Sequence, residues 1–82
     1  MIDRGVDGTV IGPNVRRRRE ALGLSRAELA RRARVSASWL AELESGAGIR
    51  VTADQCYRLA AALGCRMEGL MGLPELAEVA GG

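Results

Sequence analysis

The sequence contains no histidine, no lysine and no phenylalanine, and its aromatic residues are Trp39 and Tyr57. Without histidine, and without a nucleophile placed beside a base, the chain has no set of residues for acid–base or covalent catalysis, so we expect no enzyme and no cofactor. The segment Gly46–Gly48 is a Gly-x-Gly, but it follows a predicted helix and is typical of a helix stop rather than of a nucleotide-binding loop. The core must then consist mainly of Leu, Val and Ala.

Cysteine and long apolar runs are also scarce. Cys56 and Cys65 lie too far apart for a metal-binding motif, and no histidine could complete one. They leave two interpretations, a disulfide or redox switch and a pair of free thiols in a reducing compartment, and we expect the second. No apolar run approaches the roughly 18 residues of a membrane span, and the first residues carry no apolar signal segment, so we expect a cytoplasmic chain with no membrane partner.

The charge is nearly balanced over the whole chain, at a formal net +2, but it is unevenly distributed. All 12 basic residues are arginines, and eight of them fall into two groups, the run Arg16–Arg19 and a second group of Arg26, Arg31, Arg32 and Arg34. Arginine binds phosphate groups bidentately, which would make these groups a nucleic-acid surface. The alternative is a solvated face that reflects an arginine-biased composition.

The segment Ser25–Gly46 contains two helix starts. Ser25 with Glu28 forms a capping box, in which each side chain accepts from the other residue's main-chain N–H. Ser36 begins a second helix, and Gly46 ends it. We predict helices over about Arg26–Ala33 and Ala37–Ser45, each with one apolar face: Leu29, Ala30 and Ala33 on one, Leu40 and Leu43 on the other. Small alanines at the crossing and a short turn holding Val35 indicate a helix-turn-helix unit.

The flanking segments supply three more predicted helices. Residues 1–11 read as a flexible arm, with an extended piece at Thr9–Ile11. A first helix runs from about Pro13, at the first helical position, to Leu22, with inward residues Ile11, Val15 and Leu22. Thr52 with Gln55 begins a fourth helix that ends near Leu63; its predicted buried face is Ala53, Cys56, Leu59, Ala60 and Leu63.

A short fifth helix is predicted over Arg66–Met71, with Met67 and Leu70 inward. The domain would thus comprise residues 12–72, with a C-terminal extension over residues 73–82. The C-terminal end of the chain carries more apolar residues than the core of a five-helix domain needs. This surplus predicts a homodimer contact through Leu70, Met71, Leu73, Leu76 and Val79. The alternative is that these residues cover the underside of the core.

Ordered motifs along the chain resemble one known family. They are V-R-R-R-R-E-A-L-G-L-S at Val15–Ser25, E-L-A at Glu28–Ala30, V-S at Val35–Ser36, L-E-S-G at Leu43–Gly46 and C-Y-R-L-A-A-A-L-G at Cys56–Gly64. In this order and spacing they resemble λ-repressor/Cro-like (Xre-type) helix-turn-helix domains. The resemblance implies an all-α, five-helix domain that binds operator DNA as a homodimer. Its second helix would cross the phosphate backbone and its third would enter the major groove.

The resemblance also implies roles for individual residues. Positions that match base-reading residues are Ala37, Ser38 and Glu42. Arg26 matches a phosphate contact, and Trp39 and Arg50 match flanking positions that contact the backbone. Arg31, Arg32 and Arg34 would add further phosphate contacts. Arg19 and Glu44 match positions that form an ion pair between the first and third helices.

Three departures from the family pattern bear on function. Arg34 replaces a glycine common in the turn, which predicts a left-handed backbone there, and Val51 replaces a proline before the fourth helix. The third helix has no basic residue and two acids, Glu42 and Glu44. Glu42 can accept from cytosine N4. Alternatively this surface no longer reads DNA, and the domain binds a protein partner, as an antitoxin-like subunit does, with Trp39 as an exposed anchor.

Overall fold

Five helices and one short antiparallel sheet make up residues 5–72, the part of the chain that the computed structural model describes. The elements in chain order are β1 Val6–Asp7, α1 Gly8–Ala21, α2 Arg26–Ala33, α3 Ala37–Glu44, β2 Arg50–Val51, α4 Ala53–Leu63 and α5 Met67–Met71. The predicted all-α, five-helix fold is confirmed, with the addition of the sheet. No helix among these residues is both long enough and apolar enough to span a bilayer.

The helix α1 begins earlier than the sequence predicts. Asp7 is its N-cap and accepts from the main-chain N–H of Thr9 at 2.8 Å. The predicted start at Pro13 is therefore wrong, as are the extended piece at Thr9–Ile11 and the flexible arm over residues 6–11. Pro13 lies inside α1 on its exposed side, where its ring removes one main-chain donor but faces solvent.

The sheet joins the residues just before α1 to the segment between α3 and α4. Val6 pairs with Val51, and Asp7 pairs with Arg50. The main-chain N–H of Gly8 donates to the carbonyl of Ile49 at 2.7 Å. These contacts join segments far apart in sequence, which is why the sequence predicts only a loop over residues 46–51.

Local capping signals predict the other helices well. Both capping boxes are present: Ser25 with Glu28 begins α2, and Thr52 with Gln55 begins α4. Ser36 caps α3 through the N–H of Trp39. The turn residue Arg34 has the predicted left-handed conformation, at φ 58° and ψ 45°.

The core lies between all five helices: α1 packs against α3 and α5, and α2 packs against α3 and α4. The buried apolar residues are Ile11, Val15, Leu29, Ala30, Ala33, Leu40, Leu43, Val51, Cys56, Leu59, Ala60, Leu63 and Leu70. Two predicted inward positions are wrong. Leu22 is 55% exposed because it caps the end of α1, and Ala53 is exposed because it occupies the first turn of α4.

Only part of the homodimer contact predicted for the C-terminal end lies within the described residues. Leu70 is fully buried in the core, so it covers the core and is unavailable for a dimer contact. Leu73, Leu76 and Val79 lie outside the described residues. Cys56 and Cys65 form no disulfide within residues 5–72, and burial raises the pKa of the Cys56 thiol.

Candidate nucleic-acid interface

The helix-turn-helix unit exposes one face of α3. Its two helices are joined by Arg34–Ser36, and Val35 packs against the core from this turn. Leu40, Leu43 and Glu44 are buried, whereas Ala37, Ser38 and Glu42 are exposed. Ser38 and Glu42 are four residues apart and therefore lie on one side of the helix, one turn from each other. The residues predicted to read bases thus form a single exposed strip.

A buried ion pair holds α3 against α1. Arg19 donates from Nε to Glu44 Oε2 at 2.8 Å and from Nη2 to Glu44 Oε1 at 2.9 Å. The third donor, Nη1, bonds to the carbonyl of Leu24 at 2.9 Å. The hydrogen bonds to Glu44 raise the pKa of the Arg19 guanidinium above its ordinary value. The pair that the resemblance implies is thus present, and it satisfies one of the two acids of α3 inside the protein.

Arg26 extends this network to the surface at the start of α2. Its Nε lies 3.3 Å from Glu44 Oε1, while its side chain remains 45% exposed. The contact restrains the guanidinium beside the N-terminus of α2, a helix end that itself favours anions. A phosphate arriving there would meet a positioned cation.

Glu42 is exposed and takes part in no ion pair among residues 5–72, as the sequence suggested, so α3 presents one uncompensated negative charge. Trp39 has a different environment from the one the sequence suggested, because it is partly buried and packs against the core. The expectation that Trp39 is an exposed anchor for a protein partner is therefore wrong.

The remaining arginines lie on different structural elements. Arg31 and Arg32 are exposed on the last turn of α2, and Arg34 is exposed in the turn. Arg50 lies in β2, where its charge helps to lower the pKa of its cross-strand neighbour Asp7. The predicted phosphate contacts are therefore spread over α2, the turn and β2.

One residue of this surface was missed by sequence reasoning. Arg58 of α4 donates from Nη1 to the carbonyl of Arg34 at 2.9 Å, which ties α4 to the turn. The only local signal was its spacing of four residues from Asp54, whose carboxylate lies 3.1 Å from Arg58 Nε. Its contact with Arg34 depends on the packing of α4 against α2. Within residues 5–72, no group of His, Cys, Asp and Glu side chains could hold a metal ion.

Comparisons with known proteins point to one class. Residues 15–70 match the helix-turn-helix family model. The DNA-bound structure of SinR, a master regulator for biofilm formation, superposes with a TM-score of 0.71 at 26% identity, covering 74% of this chain and 97% of that one. The restriction-modification controller protein C.AhdI from Aeromonas hydrophila has a TM-score of 0.71 at 28% identity, covering 77% and 94% of the two chains.

A third similar structure is the clp gene regulator ClgR from Corynebacterium glutamicum. It has a TM-score of 0.71 at 31% identity and covers 90% of this chain and 72% of that one. No curated protein sequence matches this chain.

Proposed function

Since this chain belongs to the Xre/λ-repressor-like helix-turn-helix family of DNA-binding transcriptional regulators, we propose that it recognises a palindromic operator as a homodimer, with α3 in the major groove. One observation carries the proposal. α3 exposes Ala37, Ser38 and Glu42 on a single strip while the Arg19–Glu44 pair fixes the helix from behind. A rigid, exposed helix face is what base readout requires.

Each exposed residue of the strip has a matching chemistry in the groove. The Ala37 methyl can contact a thymine methyl, and the Ser38 hydroxyl can donate or accept. Glu42 can only accept when ionised, and the major-groove donor that suits it best is cytosine N4. We therefore assign Glu42 a role in selectivity rather than affinity, because its charge repels the phosphates.

Affinity would come from arginines outside α3. We propose backbone contacts for Arg26, which Glu44 restrains, for Arg31 on α2 and for Arg50 after α3, with Trp39 as a flanking contact. Arg32 and Arg34 would also contact phosphate, from the side of α2 that faces α4. SinR, which is similar in fold, was crystallised in complex with DNA, and this supports the proposal.

The homodimer would use the surface where α1 begins and α5 ends. Val6 and Val10 are 39% and 54% exposed there and, with Ile11 and Met71, line an apolar recess of about 280 Å³. The apolar residues Leu73, Leu76 and Val79 continue the sequence beyond it. Sedimentation of the intact chain, of the chain ending at Gly72 and of the Val10→Asp variant tests this contact. If all three proteins sediment as monomers, the homodimer is refuted.

The operator proposal is tested by selecting duplexes from a randomised pool at low salt. We expect an enriched sequence with two inverted half-sites. Failure to enrich any sequence would refute base readout.

A second candidate function follows from the exposed, unpaired Glu42 and the absence of basic residues from α3. It is a protein-binding module in which this strip contacts a basic partner. Under that function Glu42→Gln would leave DNA affinity low and unselective but weaken capture of the partner, which distinguishes the two.

A further inference from the structure

A cleft opens between the C-terminal end of α2 and the exposed side of α4. Its volume is about 350 Å³, and the residues that line it are Arg32, Arg34, Tyr57, Arg58, Ala61 and Ala62. Three guanidinium groups therefore share one concavity with the 61% exposed ring of Tyr57. The volume lies within the range of small-ligand sites in proteins.

The cleft holds Arg34 in a costly conformation. Arg34 is the only non-glycine residue with a positive φ among residues 5–72. A left-handed backbone is unfavourable for a residue with a Cβ. The carbonyl of Arg34 accepts from Arg58 Nη1 at 2.9 Å, so the strained turn is fixed by another cation of the same cleft. Strain retained in this way commonly marks a functional position.

The positive charge of the cleft is poorly compensated. In the described part of the chain Arg32 and Arg34 form no salt bridge, although the charge of Arg32 acts on Glu28. Arg58 is paired through its Nε with Asp54 at 3.1 Å, but this carboxylate is 75% exposed. The cleft thus offers the guanidinium groups of Arg32 and Arg34 to an anion, and Asp54 competes with that anion for Arg58.

We propose that this cleft binds a phosphate group, held by the guanidinium groups of Arg32, Arg34 and Arg58, with Tyr57 packing against the molecule that carries the phosphate. Guanidinium groups match phosphate geometry bidentately, and several of them around one anion offset their mutual repulsion. The phosphate could belong to a small phosphorylated molecule or to the DNA backbone. The recessed shape and the aromatic wall suit both, and the chemistry is the same.

The test is a titration of DNA-free protein with inorganic phosphate at constant ionic strength, followed by NMR of main-chain amides and arginine Nε–H groups. We expect saturable shifts at Arg34, Tyr57 and Arg58. Linear shifts spread over all exposed arginines would overturn the proposal. Because DNA is absent, the outcome is independent of the operator proposal.

Two variants should change phosphate affinity in opposite directions. Arg34→Gly removes one cation, and glycine adopts the left-handed backbone readily, so the variant should fold and bind about tenfold more weakly. Asp54→Asn removes the competing carboxylate and should bind several-fold more tightly. Arg17→Gln makes the same net-charge change as Arg34→Gly on the exposed side of α1 and should bind like the wild type. Equal affinities for all four proteins would refute the site.

A second arm identifies the source of the phosphate. Displacement of bound phosphate by a non-specific duplex would assign the cleft to the DNA backbone. Retention of phosphate on the DNA-bound protein, with tighter binding of adenosine monophosphate and added shifts at Tyr57, would assign it to a small molecule.

Discussion

Gly12 of α1 lies directly against the main chain of Leu43 in α3, so closely that a Cβ at position 12 would overlap the Leu43 carbonyl group. The backbone of Gly12 is ordinary helix, so its lack of a side chain serves packing rather than flexibility. This contact sets how near α3, with its exposed strip, can lie to α1.

Gly12→Ala should therefore destabilise the protein severely. Alanine is the better helix former by about 1 kcal/mol, so any loss reports the clash alone. The colliding atom is main chain and cannot move away cheaply, and we expect a loss of at least about 3 kcal/mol in the free energy of unfolding. Urea unfolding measures it. Gly64→Ala is a useful comparison, because a Cβ there meets no atom within 4 Å and only the left-handed φ of 69° is penalised.

Removal of Glu44 tests the buried ion pair. Glu44→Ala leaves Arg19, whose side chain is 11% exposed, without its carboxylate, and breaking a buried pair in this way costs about 3–5 kcal/mol. Glu20→Ala removes the exposed i,i+4 partner of Arg16 and should cost less than about 0.5 kcal/mol. Thermal melting of both variants measures the difference. Similar melting temperatures would show that the Arg19–Glu44 pair contributes no more than a surface pair.

Arg34 provides a separate test of backbone strain. Arg34→Gly relieves the left-handed conformation and should raise the free energy of unfolding by roughly 1 kcal/mol relative to Arg34→Ala, which loses the same charge but keeps its Cβ. Chemical denaturation of the two variants isolates the strain. If the alanine variant is as stable as the glycine variant, the turn is not strained.

The parts of the fold that follow from short-range chemistry were predictable. The capping boxes of Ser25 and Thr52 each lie within four residues, and both begin helices where the sequence places them. The left-handed turn at Arg34 was predicted from the family resemblance instead, because a glycine is common at that position. The start of α1 was not predicted, because Pro13 favours a later start and the pairing of β1 with β2 before it joins segments far apart in the sequence.

The candidate sites likewise differ in whether the sequence could predict them. The family pattern located the exposed strip of α3, since helical periodicity separates Ala37, Ser38 and Glu42 from Leu40 and Leu43. It could not reveal the cleft, because Arg58 and Tyr57 approach Arg34 only through the packing of α4 against α2.

Acid should weaken the helix caps. Hydrogen bonds to Thr9 hold the pKa of Asp7 below 3.8, and hydrogen bonds to Ser25 hold the pKa of Glu28 below 4.5. Because the folded-state pKa values are lowered, these groups contribute stability above their ordinary pKa values and lose it as the pH falls through the folded values. Unfolding followed from pH 6 to 2.5 should show a falling free energy below about pH 4.5.

Glu28→Gln is the matched control for that slope. Glutamine retains the capping box but does not titrate, so the variant should lose less stability on acidification than the wild type. Identical slopes would show that Glu28 does not contribute to the acid sensitivity.

The last prediction separates selectivity from affinity in the proposed DNA complex. In a dimer the two α3 helices should lie about 34 Å apart, one turn of B-DNA. Arg31→Ala should then weaken binding to all sequences alike and reduce the salt dependence by about one phosphate contact. Glu42→Gln should instead relax the preference at a single base pair, by about 1–3 kcal/mol. Because it also removes a negative charge near the backbone, it should strengthen non-specific binding slightly.

Selection experiments and salt titrations on both variants measure the two effects. If both variants changed affinity equally for every sequence, Glu42 would lie outside the groove, and base readout by α3 would be refuted.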